Sequence, residues 1–368
     1  MKEFAAVAVL AAASASASAQ SSLTVFGVLD ANVGSVNNGA GSVKSVGNSG
    51  NETSRLGFRG IEDLGGGLRA GFWLEGQVFS DTGLGGAPGS ANQGMSWQRR
   101  STVSLLSDTL GEVRLGRDTT PNYVSRQDFD PFTLNGVGSQ QNMMILNQPI
   151  QGSPQVNATP LGSGAATFPR ASNAVEYFLP GNLGGVYGQA MVAAGEGSVN
   201  GKYSAARLGY KTGSLNASAE AGKASLGAND LKEIHAGASY DFGVVKLMGQ
   251  YGRFTFDRAA IGSSVQKNLL IGATAPVGPG TVKVSYNRVQ ISGLDTGVSG
   301  LGPGKARMLA AGYVYDLSKR TALYTTYSRI SNDPRTQFTV GGQQNGPAVN
   351  GMTGKTSSGY EIGIRHRF

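Results

Sequence analysis

Tyr360-Glu361-Ile362-Gly363-Ile364-Arg365-His366-Arg367-Phe368 ends the chain, and its strict alternation decides the fold. Tyr360, Ile362, Ile364, His366 and Phe368 fall on one face of an extended strand, and Glu361, Gly363, Arg365 and Arg367 on the other. At the edge of a soluble sheet the terminal aromatic would be left without cover. In a strand that crosses a bilayer the same apolar face meets lipid, the charged face meets water, and the aromatic end sits at the interface. The stretch therefore predicts one stave of a transmembrane barrel.

Working back from it, the same period recurs. Leu68, Ala70, Phe72, Leu74, Gly76 and Val78 oppose Arg69, Gly71, Trp73, Glu75 and Gln77. Val282, Val284 and Tyr286 oppose Lys283, Ser285 and Asn287. The apolar faces are modest and many, and the opposite faces carry charges suited to a wet lumen rather than to a sandwich core. About 16 such segments are expected, from 23–33 to 359–368. Their connections alternate between short (63–66, 107–110, 212–213, 243, 277–280, 318–320) and long (34–53, 80–96, 119–169, 224–230, 257–265, 292–304, 331–358). Short periplasmic turns against long outer loops mark outer-membrane barrels, and an even strand number puts both termini on the periplasmic side.

Ahead of the barrel, Phe4 to Ala13 is apolar, serines begin at Ser14, and Ala17-Ser18-Ala19 forms an A-x-A site. Residues 1–19 are expected to be a secretory signal peptide, too short for a membrane helix, which leaves one barrel domain over 20–368. An exported chain without cysteine has neither a disulfide framework nor thiolate chemistry. Its 57 glycines lie between apolar alternations, as curved strands and hairpins require, rather than in a collagen period.

One stretch breaks the rhythm. From Pro121 to Pro169, 49 residues run without alternation, far beyond an ordinary connection. The expectation is a functional loop that folds into the lumen and narrows it.

The motifs SLTVFG (22–27), RLGFRGIEDLG (55–65) and GEVRLGR (111–117), with the terminal Phe368, resemble the general porins of Gram-negative bacteria, those of β-proteobacteria most closely. The resemblance covers the whole chain after the signal peptide. It implies an all-β, 16-stranded antiparallel transmembrane β-barrel with an inward-folded third outer loop, here 119–169, assembled as a homotrimer. It further implies a cell outer membrane location, contact with lipid and lipopolysaccharide, and a second long loop (80–96) that latches onto a neighbouring subunit. The resemblance places a basic cluster of the constriction at Arg55, Arg99 and Arg170, faced by loop acids at Asp128 and Asp130. Parity sets Arg55 and Arg170 toward the lumen. Arg99 shares parity with Val103 and Leu105, so that strand either faces a partner subunit or carries a register-flipping bulge. Arg114 also has lumen parity and is counted with the basic constriction residues.

Lumen-parity bases (Arg55, Arg59, Arg69, Arg114, Arg170, Lys246, Lys283, Arg365, Arg367) outnumber the acids (Asp30, Glu75, Glu112, Glu176, Glu361 among them). The expected function is passive diffusion of small ions and polar solutes with an anion preference. A substrate-specific channel is the alternative and would use an aromatic track, for which Phe26, Trp73, Phe79, Phe129 and Phe132 are candidates. Enzyme, metal and cofactor readings find no support. His235 and His366 have no acid at ligand spacing. The run 351–356 resembles a phosphate loop but has Val349 where its first glycine belongs and is followed by no helix pattern. The formal charge of +8 is not gathered into any run that would suit nucleic acid.

Overall fold

The computed structural model describes residues 22–85, 94–144, 169–197, 200–259, 262–293, 303–341 and 352–368. The expected signal peptide, the loop stretch 145–168 and residues 86–93 of the second long loop lie outside these. The first strands are β1 (Ser22–Asn37), β2 (Ser42–Asn48), β3 (Arg55–Gly65), β4 (Leu68–Gln77), β5 (Arg100–Ser107) and β6 (Gly111–Thr119). After the long loop come β7 (Arg170–Phe178), β8 (Val186–Ala193), β9 (Asn200–Thr212), β10 (Leu215–Leu226), β11 (Asn229–Asp241) and β12 (Lys246–Arg258). The ring is completed by β13 (Gly262–Val277), β14 (Gly280–Gly293), β15 (Gly304–Asp316), β16 (Thr321–Asn332) and β17 (Ser357–Arg367).

Each strand pairs antiparallel with its sequence neighbour, and β17 returns to β1 over Val28–Asn37. Gly27 and Phe368 exchange both backbone hydrogen bonds at 3.1 Å, so the chain end itself seals the seam. Seventeen strands make sixteen staves because β2 and β3 occupy one position. The inner half of β1 pairs with β3 and its outer half with β2. The residues between them, 49–54, leave the ladder.

Burial is inverted relative to a soluble protein. On β5 the apolar Val103 and Leu105 are 55% and 49% exposed, while the alternating Thr102 and Ser104 are buried. Glu176, Arg207, Glu220, Glu233, Gln250 and Glu361 are likewise buried on inward-facing positions. Apolar side chains outside and a polar interior are what a bilayer solvent selects. Two connections expected to be long are short: only 227–228 separates β10 from β11, and 259–261 separates β12 from β13. Alternation fades there because the strands continue past the apolar band with polar outward residues. The ladder persists, as in the Lys223–Asp230 pair at 2.9 Å.

The described part of the third loop lies along the inner face. Its helix α1 (Pro121–Asp128) starts with Thr120 accepting from the Tyr123 amide and with proline in the first turn, a favourable N-terminus. Asp130 then organises the turn. Its carboxylate accepts from the amides of Phe132, Leu134 and Gln140 at 3.0–3.2 Å. Burial pushes this carboxyl up to about 6 against the pull of those three amides. Thr133 and Leu134 adopt positive φ of 50° and 61°, a costly backbone held in place by this carboxylate.

The loop seats on the wall from β10 to β17. Asn122 donates to Glu220 at 2.9 Å, Gln250 to the Arg126 carbonyl, Gln266 and Asn268 to the Met143 carbonyl, and the Val137 amide to Glu361 at 3.1 Å. Phe129 rests on bare backbone, for a Cβ at Gly237 would collide with its ring. The variant G237V is therefore expected to push the loop off its seat at a cost of about 1–3 kcal/mol. Single-channel conductance should rise, and F129A added to G237V should restore it in part.

Candidate pore constriction

Beside the seated loop lies a space of about 720 Å³, bounded by Asn51–Arg55, by Arg99, by residues of β14, β15 and β17, and by the turn after β15. Six cations line it (Arg55, Arg99, Lys283, Lys319, Arg365, Arg367) against two acids, Glu52 and Asp316. The loop contributes only neutral groups to this space: Gln127, Thr133 and Asn135.

Arg55 opens β3 and pairs with Glu52 at 2.6 Å, with Glu75 at 4.0 Å. Arg99 reaches Glu75 at 2.5 Å, and its amide donates to the Glu75 carbonyl at 3.0 Å. Arg170, buried at the start of β7, donates from Nε to the Arg99 carbonyl at 2.7 Å, and its guanidinium lies 6.0 Å from the Tyr123 ring centre. The structure thus gathers the three arginines chosen from the sequence, Arg170 standing behind Arg99. Neither alternative for Arg99 is needed. β5 begins one residue later, at Arg100, so strand parity does not govern Arg99. Arg100 takes the inward position instead, stacked 4.4 Å from the Trp73 ring and 3.4 Å from Asp118.

Two expected placements are corrected. Arg114 is not in this cluster. On β6 it is enclosed by Asp118 (2.5 Å), Glu112 (2.8 Å) and Glu176 (3.8 Å), so its charge is spent locally. Asp128 and Asp130 do not face the arginines. Asp128 pairs with Arg207 on β9, and Asp130 is consumed by its own turn. Loop acids point where the loop's seat sends them, which residue order alone does not fix.

Two acids face the arginines: Glu75, which has lumen parity, and Glu52, which sequence reasoning passed over. Glu52 lies in the break between β2 and β3, and the break is held by Asp30, whose carboxylate accepts from the amides of Gly50, Asn51 and Glu52 at 2.8–3.2 Å. Arg55, Arg367 (2.7 Å) and Arg365 (3.7 Å) surround the Glu52 carboxylate. E52Q leaves the cations in place and removes one of the two opposing charges. It is expected to strengthen anion preference at neutral pH, read as a larger reversal potential of the same sign.

The candidate aromatic track does not form. Phe129 and Phe79 are buried, and Phe132 packs behind the loop, its ring 3.1 Å from where a Cβ of Gly312 would lie. Phe26 and Trp73 do meet in the lumen wall, ring centres 5.0 Å apart, with Arg59 over both. Among the described residues no group of three or more His, Cys, Asp and Glu side chains is placed to hold a metal ion.

A family model described as Gram-negative porin matches residues 6–335. Outer membrane porin protein 32 of Delftia acidovorans is 40% identical over 382 residues, covering 100% of this chain and 99% of that one. An outer membrane porin protein of Bordetella pertussis is 28% identical over 422 residues, covering all of both chains. Among solved structures, an anion-selective porin from Comamonas acidovorans matches with a TM-score of 0.79 at 37% identity, over 95% of this chain and 100% of that one. The trimer form of OmpT from Vibrio cholerae matches with a TM-score of 0.68 over 95% of this chain and 99% of that one; at 13% identity it speaks for the fold alone.

Proposed function

The chain belongs to the Gram-negative porin family, and from that membership we propose that it is a general diffusion pore passing small hydrophilic solutes and ions, anions in preference. Its place is the outer membrane, where a closed barrel with an apolar outside and a wet inside is the stable form. The observation that carries the anion preference is the imbalance around the space beside the loop: six cations, two acids and a neutral loop edge. Fixed charge of one sign in a low-dielectric wall concentrates counter-ions and repels co-ions. Arg55 and Arg99 act at the lumen surface, and Arg170 reinforces the potential from behind. The solved Comamonas porin, described as anion-selective, supports the same reading.

Residues 1–19 direct export and are removed, leaving the barrel domain 20–368. Three copies assemble side by side, each with its own pore, among lipid and lipopolysaccharide. The test is the reversal potential of single channels in a planar bilayer under a potassium chloride gradient. An anion-signed potential with a large, weakly saturating current is expected. A cation-signed potential would overturn the preference, and a small current blocked by one solute would overturn the general pore.

A further inference from the structure

Ion pairs neutralise most of the inward arginines on β3 to β6: Arg55, Arg69, Arg100 and Arg114 each hold a carboxylate. Arg59 holds none among the described residues. The two acids outside those residues stand elsewhere in the chain, Glu3 in the expected signal peptide and Asp295 in the connection that follows the outer end of β14. Arg59 lies instead against two rings, its guanidinium 5.1 Å from the Trp73 ring centre and 5.5 Å from that of Phe26. Stacking fixes the guanidinium plane without using its N–H edge, and the residue is exposed to the lumen. Arg100 also covers Trp73, at 4.4 Å, but Asp118 already answers its charge.

An apolar strip runs on from these rings toward the periplasmic turn of β3. Register puts Ile61 opposite Gly71, one inward step beyond the Arg59–Trp73 pair. Leu106 reaches the same place from β5, for a Cβ on Gly71 would meet Leu106 at 3.4 Å and Ile61 at 3.9 Å. Glycine thus leaves a trough between the two side chains. Other inward apolar groups, such as Phe254 and Met308, are buried in clusters with residues of the third loop. Ile61 has no such cover and is 43% exposed.

One unpaired cation beside one uncovered apolar trough fits a solute with a carboxylate at one end and hydrocarbon at the other. An inward step on a strand spans about 6.6 Å, the reach of a carboxylate joined to a six-membered ring. Arg59 lies four residues along β3 from Arg55, about 13 Å of strand on the periplasmic side of the arginine cluster. We infer that Arg59, Trp73, Phe26, Ile61 and Leu106 form a weak binding station for small monocarboxylates with a branched or cyclic hydrocarbon body. The carboxylate sits on the Arg59 fork and the body over Ile61, Gly71 and Leu106. Binding stays weak because passage requires release. The inference rests on the general-pore reading and names a solute class within it.

The test is a titration of Trp73 emission in the full chain in detergent. The chain has two tryptophans, and the other, Trp97, packs on Phe58, so W97F leaves Trp73 as the reporter. Cyclohexanecarboxylate should shift the emission at millimolar levels, and acetate and cyclohexanecarboxamide should each need about tenfold more. R59Q should weaken the response to cyclohexanecarboxylate about tenfold, and R59K by less, since an ammonium keeps the charge without the fork. I61T should weaken it about threefold. An R59Q chain that titrates like the unaltered one, or equal responses to the three probes, overturns the station. The probe comparison uses no arginine variant and stands even where R59Q does not fold. The reversal potential in potassium chloride is read on the same protein. An anion-signed potential without a Trp73 response overturns the station alone, and a cation-signed potential with the response intact overturns the anion preference and leaves the station standing.

Discussion

R55Q/R99Q/K283Q is expected to bring the reversal potential close to zero in a roughly tenfold salt gradient, where a perfectly selective pore would sit about 59 mV away. The reasoning is a count of fixed charge around the space that the loop borders. Six cations against Glu52, Asp316 and the Glu75 that Arg55 and Arg99 hold leave a balance of three, which three neutral substitutions bring to zero. Glutamine keeps the length and hydrogen bonding of each side chain without setting a new acid beside Glu75, which Arg99 contacts at 2.5 Å. The matched control is R69Q. Arg69 is ion-paired with Asp108 on the turn between β5 and β6, outside the cluster, and its loss should leave the potential where it was. Folding of each variant is checked by heat-modifiable migration in detergent gels. A triple variant that folds, conducts and keeps the full anion potential would show that selectivity is set elsewhere along the lumen.

How far the sequence could be read follows from which forces act locally. Alternation in Leu68–Val78 and Tyr360–Phe368 is a direct imprint of lipid on one side and water on the other, so staves and facing were legible. Strand β2 (Ser42–Asn48), inside the expected connection 34–53, was not, nor was the fold of the 49–54 break that follows it. That break is held by Asp30 from a different strand, and nothing within the six residues announces it. Glu52 was missed for the same reason. Asp128 and Asp130 sit in a loop whose seat depends on distant wall positions, so their partners (Arg207 for one, three loop amides for the other) were beyond local reasoning. One signal went unused. Gly237, Gly252 and Gly272 share inward parity on successive strands, and each leaves room that a loop side chain fills. A row of inward glycines in a lumen otherwise lined with large polar groups marks where backbone or ligand must approach closely.

R126L is expected to unseat the third loop. Arg126 is fully buried between α1 and the wall, its guanidinium 4.5 Å from the Phe254 ring centre, and Nε donates to Asn122 at 2.9 Å. It lies so flat on the wall that a Cβ at Gly252 would collide with Nη2. Burial pulls its pKa down to about 10, partly offset by Glu233 and Glu220, so it stays charged at neutral pH. These two buried carboxylates face it from β11 and β10, with Tyr203 donating to one and Asn122 to the other. Leucine would fill the volume but leave two acids facing each other without their cation, and breaking a buried charge set costs about 3–5 kcal/mol. The barrel ladder does not depend on this contact, so the cost should fall on the loop: the melting of the barrel changes little, while conductance rises and open-channel noise grows. R126K, which restores a charge but not the flat stack on Phe254 and Gly252, should fall between the two. Unchanged conductance in R126L would mean that the loop is held by Phe129, Asp130 and the Glu361 contact alone.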